Sequence, residues 1–112
     1  MLKINVITDE SATTIEIDGE VDLYSSTDVR KTLYGLMDQK TPVIIVDLKG
    51  VGYMDSSGVA TLVEGWQRVK NYGGKIVLAD LRKEVRDVFE LTKLDSFFEI
   101  YASKEEALKE IS

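Results

Sequence analysis

The start of the chain alternates between apolar and polar side chains. Leu2, Ile4 and Val6 fall on one side of an extended backbone, which is the period of a half-buried β-strand over residues 2–8. A second alternating stretch, rich in β-branched side chains, covers residues 13–17. Because only a short polar segment joins the two stretches, the pattern predicts an antiparallel hairpin.

A helical period follows the hairpin. The segment Gly19–Asp22 is predicted to end the second strand, and Ser25 or Ser26 is predicted to cap a helix that carries Asp28 in its first turn. The only proline, Pro42, is predicted to end this helix. The apolar stripe of the helix consists of Val29, Leu33, Leu36 and Met37.

The remainder alternates between strands and helices. The β-branched run at residues 43–48 predicts a strand covered on both faces, and the glycines at residues 49–54 predict a loop. The later periods predict a helix over 56–72, a strand over 75–79, a helix over 82–92, a strand over 98–101 and a final helix capped by Ser103. We expect Trp66 to be at least partly buried, because it shares the apolar stripe of its helix.

This order of elements predicts one α/β domain over residues 1–112. Short connections between alternating strands and helices imply right-handed crossovers and parallel pairing. We therefore predict a mixed, mostly parallel sheet of about five strands, with an N-terminal antiparallel hairpin and about four helices.

Composition removes several classes of function. The 112 residues include no cysteine and no histidine. A disulfide framework, a zinc site built from cysteine and histidine, and a Ser-His-Asp triad are therefore impossible. A serine nucleophile with a lysine base, and a carboxylate site for a hard cation, remain open at this point.

The charge and hydropathy of the chain limit the kinds of partner that it is expected to bind. The net charge of -6 makes nucleic acid a poor partner, since a phosphate backbone repels an acidic chain. The longest apolar run, at residues 43–46, is far shorter than the roughly 20 residues of a membrane span. The first residues lack the apolar segment of a signal peptide, and no heptad seam is present. We expect a cytoplasmic monomer that binds another protein and has no membrane span.

The segment Tyr53–Gly58 lies where a buried strand passes into an amphipathic helix. Capping alone accounts for Asp55, whose carboxylate can accept N–H groups of the first turn. Gly58 is less easily explained, because alanine would be about 1 kcal/mol better inside a helix. Its presence predicts a close approach by packed backbone or by a partner. The hydroxyls of Ser56 and Ser57 lie at the positive end of the helix dipole, where a phosphate could meet free N–H groups.

Other possible functional motifs do not have the neighbouring residues or predicted elements that they require. Gly73-Gly74-Lys75 follows a helix, whereas a phosphate-binding loop follows a strand. A nucleophile elbow around Ser56 would need glycine at the position of Met54. A phosphoacceptor receiver domain is a minor alternative, because it needs a helix directly after its first strand.

Taken together, several segments resemble the STAS domain family, and within it the anti-sigma factor antagonists. The matching segments, which span essentially the whole chain, are Gly19–Asp22, Val43–Leu48, Met54–Gly58, Asn71–Lys75, and Val88–Thr92 with Leu94. The resemblance implies a fold with its helices mainly on one face of the sheet. The chain departs from the family pattern after Gly58, where Val59-Ala60-Thr61 replaces the usual Leu-Gly, and this bears on which partner it binds.

The resemblance further implies partner switching. Family members bind an anti-sigma factor that is also a serine kinase of the GHKL type, and this binding frees the sigma factor. The kinase phosphorylates the serine directly after the aspartate, here Ser56, and a PP2C-type phosphatase reverses the modification. The antagonist itself is a substrate, so no catalytic residue, cofactor or metal is predicted.

Geometry supports a partner surface at one end of the sheet, where loops that follow parallel strands meet. We predict that the partner-binding residues are Asp22, Leu23, Tyr24, Asp55, Ser56, Ser57 and Gly58. Ser56 is expected to project outward, while Ser57 is rotated about 100° around the helix axis. Alternatively, Leu23 and Tyr24 only cover the first helix.

Two other functions stay open on the sequence. The chain could be a STAS scaffold or a subunit of a signalling or transport assembly, without serine phosphorylation. It could also be a hydrolase in which a lysine such as Lys49 serves as the base for Ser56. Phosphorylation of the chain by a kinase would separate partner switching from the scaffold role. An ester-hydrolysis assay tests the hydrolase.

Overall fold

A computed structural model describes residues 2–111; Met1 and Ser112, the ends of the predicted domain, lie outside it. The strands within this range are β1 (Lys3–Thr8), β2 (Thr13–Val21), β3 (Val43–Met54), β4 (Lys75–Ala79) and β5 (Ile100–Tyr101). The helices are α1 (Ser26–Asp38), α2 (Ser56–Asn71), α3 (Lys83–Leu91) and α4 (Lys104–Ile111), with a 3-10 turn at Leu94–Ser96.

One mixed sheet organises the chain, with its strands in the order β1-β2-β3-β4-β5. β1 and β2 are antiparallel and the remaining neighbours are parallel, which confirms the predicted hairpin and parallel sheet. The Asp9 carboxylate closes the hairpin by accepting the N–H groups of Ser11 and Ala12, at 2.9 and 3.0 Å.

The helices lie on both faces of the sheet, but unequally. The buried stripes of α1, α2 and α3 share one core with the sheet residues Ile15, Val46 and Leu78. On the opposite face, Ala107 of α4 packs in a second core with Ile45. The prediction that the helices lie mainly on one face is therefore confirmed. None of the described helices is long and apolar enough to cross a membrane.

Both central strands run further than predicted. β2 continues to Val21 through Gly19, which has a positive φ of 128°. β3 continues to Met54, so the loop predicted for residues 49–54 is wrong. Parallel pairing of the two strand ends, with irregularities beside Gly19, holds them together. Glycine suits residue 50, because a Cβ there would lie only 3.0 Å from the backbone Cα of Asp18.

The other boundaries differ by smaller amounts. α1 ends at Asp38, before Pro42, because Lys40 takes a left-handed conformation with φ of 56°. α2 ends at Asn71, one residue before the predicted bound, and Gly73 follows it with a positive φ of 80°. Trp66 is half-buried against the larger core and meets the Phe97 ring edge-on at 5.8 Å, as expected.

Thr14 of β2 provides a first prediction. Its hydroxyl is buried without a hydrogen-bond partner among the described residues, which costs the desolvation energy of the group. Thr14→Val should therefore raise the free energy of unfolding by about 1 kcal/mol, measured by urea denaturation. Thr13→Val is the matched control, since the Thr13 hydroxyl bonds to Thr8 at 3.4 Å. Equal effects of the two substitutions would contradict this account.

Candidate functional site

The ends of two parallel strands bring two turns together. Val21, the last residue of β2, pairs with Met54, the last residue of β3. The N–H of Asp55 donates to the Val21 carbonyl at 3.1 Å. The β2–α1 turn (residues 22–25) and the β3–α2 turn (residues 55–58) therefore lie side by side at one end of the sheet.

Asp55 caps α2, as predicted. Its Oδ1 accepts the N–H groups of Ser57 at 2.9 Å and Gly58 at 3.3 Å. Ser56 is exposed and Ser57 is half-buried. The expectation that these N–H groups are free to receive a phosphate is wrong for Ser57 and Gly58, because the Asp55 carboxylate already occupies them.

Gly58 sits where the helix start presses against both strands. A Cβ at this position would lie 2.7 Å from Cγ of Met54 and 2.8 Å from Cγ1 of Val21. Both neighbours are buried. Glycine is thus required by packing of the backbone, which explains why this helix accepts a poor helix former in its first turn.

The β2–α1 turn is organised by Asp22 and Ser25. Oδ1 of Asp22 accepts the N–H groups of Tyr24 at 3.0 Å and Ser25 at 2.9 Å. These bonds, that from the Ser25 N–H foremost, lower the pKa of the Asp22 carboxyl. The Ser25 hydroxyl donates to the Glu20 carbonyl at 2.7 Å and accepts the Asp22 N–H at 2.9 Å.

Ser25 therefore does not act as the predicted cap. It precedes α1 at the N-cap position, but its side chain makes no capping hydrogen bond. Its role in the turn was missed because the cap pattern and the turn pattern look alike in sequence. The spacing Asp22-x-x-Ser25 was the available signal, since aspartate and serine side chains commonly bond to backbone a few residues away.

The two side chains at the tip of this turn face solvent. Leu23 is 62% exposed and Tyr24 is 84% exposed. They bury little surface against α1, so covering that helix does not account for them. An exposed leucine and tyrosine beside Ser56 have the composition of an interface anchor.

Ser56 also lines the end of a groove of about 520 Å³ between α2 and α3. The groove is largely apolar, with Val59, Val63, Val88 and Leu94 among its walls. The contribution of Val88 and Leu94 was missed, because only tertiary packing brings α3 beside α2.

Lys49 is not brought to Ser56. It lies five residues before the end of β3, or about 16 Å along a strand. It lines a different cleft with Lys3 and Arg82, to which Ser56 does not contribute. A general base must reach its nucleophile by a hydrogen bond or one water, so this geometry gives no support to a Ser-Lys hydrolase.

Solved structures share this architecture. An anti-sigma factor antagonist from Mycobacterium paratuberculosis superposes with a TM-score of 0.91 at 19% identity, covering 99% of this chain and 94% of that one. The phosphorylated form of SpoIIAA, a Bacillus cell fate determinant, gives a TM-score of 0.79 at 21% identity, covering 98% of this chain and all of that one. At these identities the similarity shows a common fold.

Sequence comparison gives the family. An anti-sigma-B factor antagonist of Bacillus subtilis (strain 168) is 33% identical over 104 residues, which are 93% of this chain and 94% of the relative. The family model described as STAS domain matches residues 3–107. Because the model covers most of the chain and the relative matches it almost from end to end, the chain belongs to the STAS domain family.

Proposed function

We propose that this chain is an anti-sigma factor antagonist that binds an anti-sigma factor with GHKL-type serine kinase activity. The docking surface consists of Asp22–Tyr24 and Asp55–Gly58, and phosphorylation of Ser56 ends the binding. The observation that carries the proposal is that Ser56, Leu23 and Tyr24 are all exposed, on two turns that the bond from the Asp55 N–H to the Val21 carbonyl joins at one end of the sheet. The names of the relatives, and a phosphorylated structure of the same fold, support it.

The electrostatics of the site favour such a switch. Phosphoserine carries a charge of about -1.5 to -2 at neutral pH. Asp55 holds the N–H groups of Ser57 and Gly58, so a phosphate on Ser56 would meet the Asp55 carboxylate instead of two free donors. Burying this uncompensated charge against a partner costs several kcal/mol. The charge therefore opposes the complex more than it disturbs the fold.

The rest of the proposal follows from this role. We infer one STAS domain, acting as a cytoplasmic monomer and serving as substrate rather than enzyme. A PP2C-type phosphatase returns Ser56 to its free hydroxyl and so restores binding. The output is indirect control of transcription through the released sigma factor, without contact between this chain and nucleic acid.

The decisive experiment mixes the purified chain with each GHKL-type serine kinase encoded by the source organism. Binding is measured by calorimetry with ADP, and phosphorylation by intact-mass spectrometry with ATP. We expect one kinase to bind the chain, add a single phosphate at Ser56 and then release it. Binding to none of these kinases would overturn the proposal. Binding without phosphate transfer would favour the scaffold alternative.

The apolar tip of the β2–α1 turn gives a second prediction. Leu23→Ala and Tyr24→Ala should each weaken kinase binding about tenfold, because each removes an exposed anchor at the centre of the surface. Ile7→Ala is the control, since Ile7 is 37% exposed but pairs with Thr14, towards the opposite end of β2. Affinities equal to that of the unmodified chain for both turn variants would remove this turn from the docking surface.

A further inference from the structure

The last two carbonyls of β2 each hold one of the two turns. The Glu20 carbonyl accepts the Ser25 hydroxyl at 2.7 Å, and the Val21 carbonyl accepts the Asp55 N–H at 3.1 Å. Adjacent backbone atoms thus fix the β2–α1 turn and the β3–α2 turn. The position of Tyr24 relative to Ser56 depends on both contacts, and the first of them is made by a single side chain.

The backbone carbonyls of residues 22–24 in the β2–α1 turn are bonded to the start of α1. The Asp22 carbonyl accepts the Ser26 N–H at 2.9 Å, and the Leu23 carbonyl accepts the Ser26 hydroxyl at 3.3 Å. The Tyr24 carbonyl accepts the Thr27 hydroxyl at 2.9 Å. Each of these carbonyls therefore has a hydrogen-bond partner, in a segment whose two apolar side chains are largely exposed.

We propose that Ser25 is a positioning residue for partner binding, and that Asp22 acts with it through the turn rather than by contact with the partner. Together they hold Leu23 and Tyr24 in a binding geometry before the partner arrives, which lowers the entropy lost on association. This inference rests on the proposed function for its binding readout. It changes the role of one residue of the proposed docking surface, because Asp22 supports that surface from within the turn, through an Oδ1 that already accepts the Tyr24 and Ser25 N–H groups.

The first test compares four variants for binding to the kinase that recognises the unmodified chain. Ser25→Ala should weaken binding about tenfold, or about 1.4 kcal/mol, and Ser25→Thr should restore it to within about twofold. Asp22→Asn keeps an oxygen at Oδ1 and should stay within about threefold, whereas Asp22→Ala should lose about tenfold. A tenfold loss in Asp22→Asn would indicate that the charge touches the partner, and would overturn the assignment for Asp22.

A matched control separates positioning from general stability. The Ser103 hydroxyl also makes a backbone hydrogen bond, accepting the Glu106 N–H at 3.0 Å at the start of α4. This helix packs on the opposite face of the sheet. Ser103→Ala should leave kinase affinity unchanged within about twofold, although it also removes a hydrogen bond between a serine side chain and the backbone. Equal losses of kinase affinity in Ser103→Ala and Ser25→Ala would show that Ser25 affects binding only through the stability of the fold.

A double-mutant cycle tests whether Ser25 works through the apolar tip. In a Leu23→Ala/Tyr24→Ala background, Ser25→Ala should cost less than about twofold, because no anchors remain to be positioned. A full tenfold cost in that background would show that Ser25 acts on binding by another route, and would overturn the proposal.

Hydrogen exchange tests the turn without any partner. In Ser25→Ala the amides of Asp22 and Tyr24 should exchange at least about tenfold faster, since the first loses its acceptor and the second lies in a loosened turn. The Glu106 amide should be unaffected. If no kinase binds the unmodified chain, the proposed function fails. The positioning role then stands or falls on this exchange, and an unchanged rate at Tyr24 would overturn it.

Discussion

Replacing Ser56 by alanine should abolish phosphorylation while leaving partner binding intact, and replacing it by aspartate should weaken binding about 100-fold, or about 2.7 kcal/mol. The Ser56 side chain is exposed at the first position of α2, so neither substitution disturbs packing. Aspartate places a second carboxylate beside Asp55, and like charges brought together in an interface cost several kcal/mol. Intact-mass spectrometry and calorimetry measure the two effects.

Ser57→Ala is the control for the choice of serine. Ser57 is chemically identical to its neighbour, but it is half-buried and one position further along the helix. This variant should still accept a single phosphate, at Ser56. Labelling of Ser56→Ala at the rate of the unmodified chain, or unchanged affinity of Ser56→Asp, would contradict the assignment of Ser56.

Local sequence patterns predicted the elements whose structure depends mainly on residues that are close together in the sequence. The alternation of Leu2, Ile4 and Val6 identifies β1, although only Leu2 and Ile4 pack against the core and Val6 is 44% exposed. The stripe of Val29 and Leu33 identifies α1, because both side chains are buried on one face of that helix. Asp55 could likewise be assigned as the cap of α2, because its carboxylate accepts N–H groups only two and three positions further along the chain.

Long-range pairing accounts for most of what the sequence did not reveal. The second half of β3 contains Gly50 and Gly52, which favour a loop when considered locally. In the structure Gly50 pairs with Asp18 of β2, and the close approach of Asp18 makes glycine the suitable residue there. The strand is thus specified by a neighbour more than 30 positions away, which periodicity within one segment does not detect.

The candidate site also combines features that are local in the sequence with features that depend on the tertiary structure. The position of Ser56 after Asp55 is a local feature, and so is the expectation that Gly58 permits a close approach. The contact of the Ser25 hydroxyl with the Glu20 carbonyl depends on how the turn folds back on β2. The groove beside Ser56 depends on α2 and α3 lying on the same face of the sheet, where Val63 and Val88 line it from its two sides. Such features arise only when separate elements assemble.

Gly58→Ala should lower the free energy of unfolding by about 2 kcal/mol, as expected for overpacking of a well-packed core. The new methyl group would lie 2.8 Å from Cγ1 of Val21 and 2.7 Å from Cγ of Met54. Val21 is β-branched and stiff, and both side chains are buried, so the start of α2 must move away from the strands. This cost exceeds the gain of about 1 kcal/mol in helix propensity. Urea denaturation measures the difference.

Gly35→Ala provides a control of opposite sign. Gly35 also lies inside a helix, but a Cβ there would have no neighbour within 4 Å. This substitution should raise the free energy of unfolding by about 0.5 to 1 kcal/mol, since only helix propensity changes. Because the displaced end of α2 carries Ser56, Gly58→Ala should also slow phosphorylation, whereas Gly35→Ala should not. Stabilisation by both substitutions would show that the approach of α2 to β2 and β3 does not require glycine.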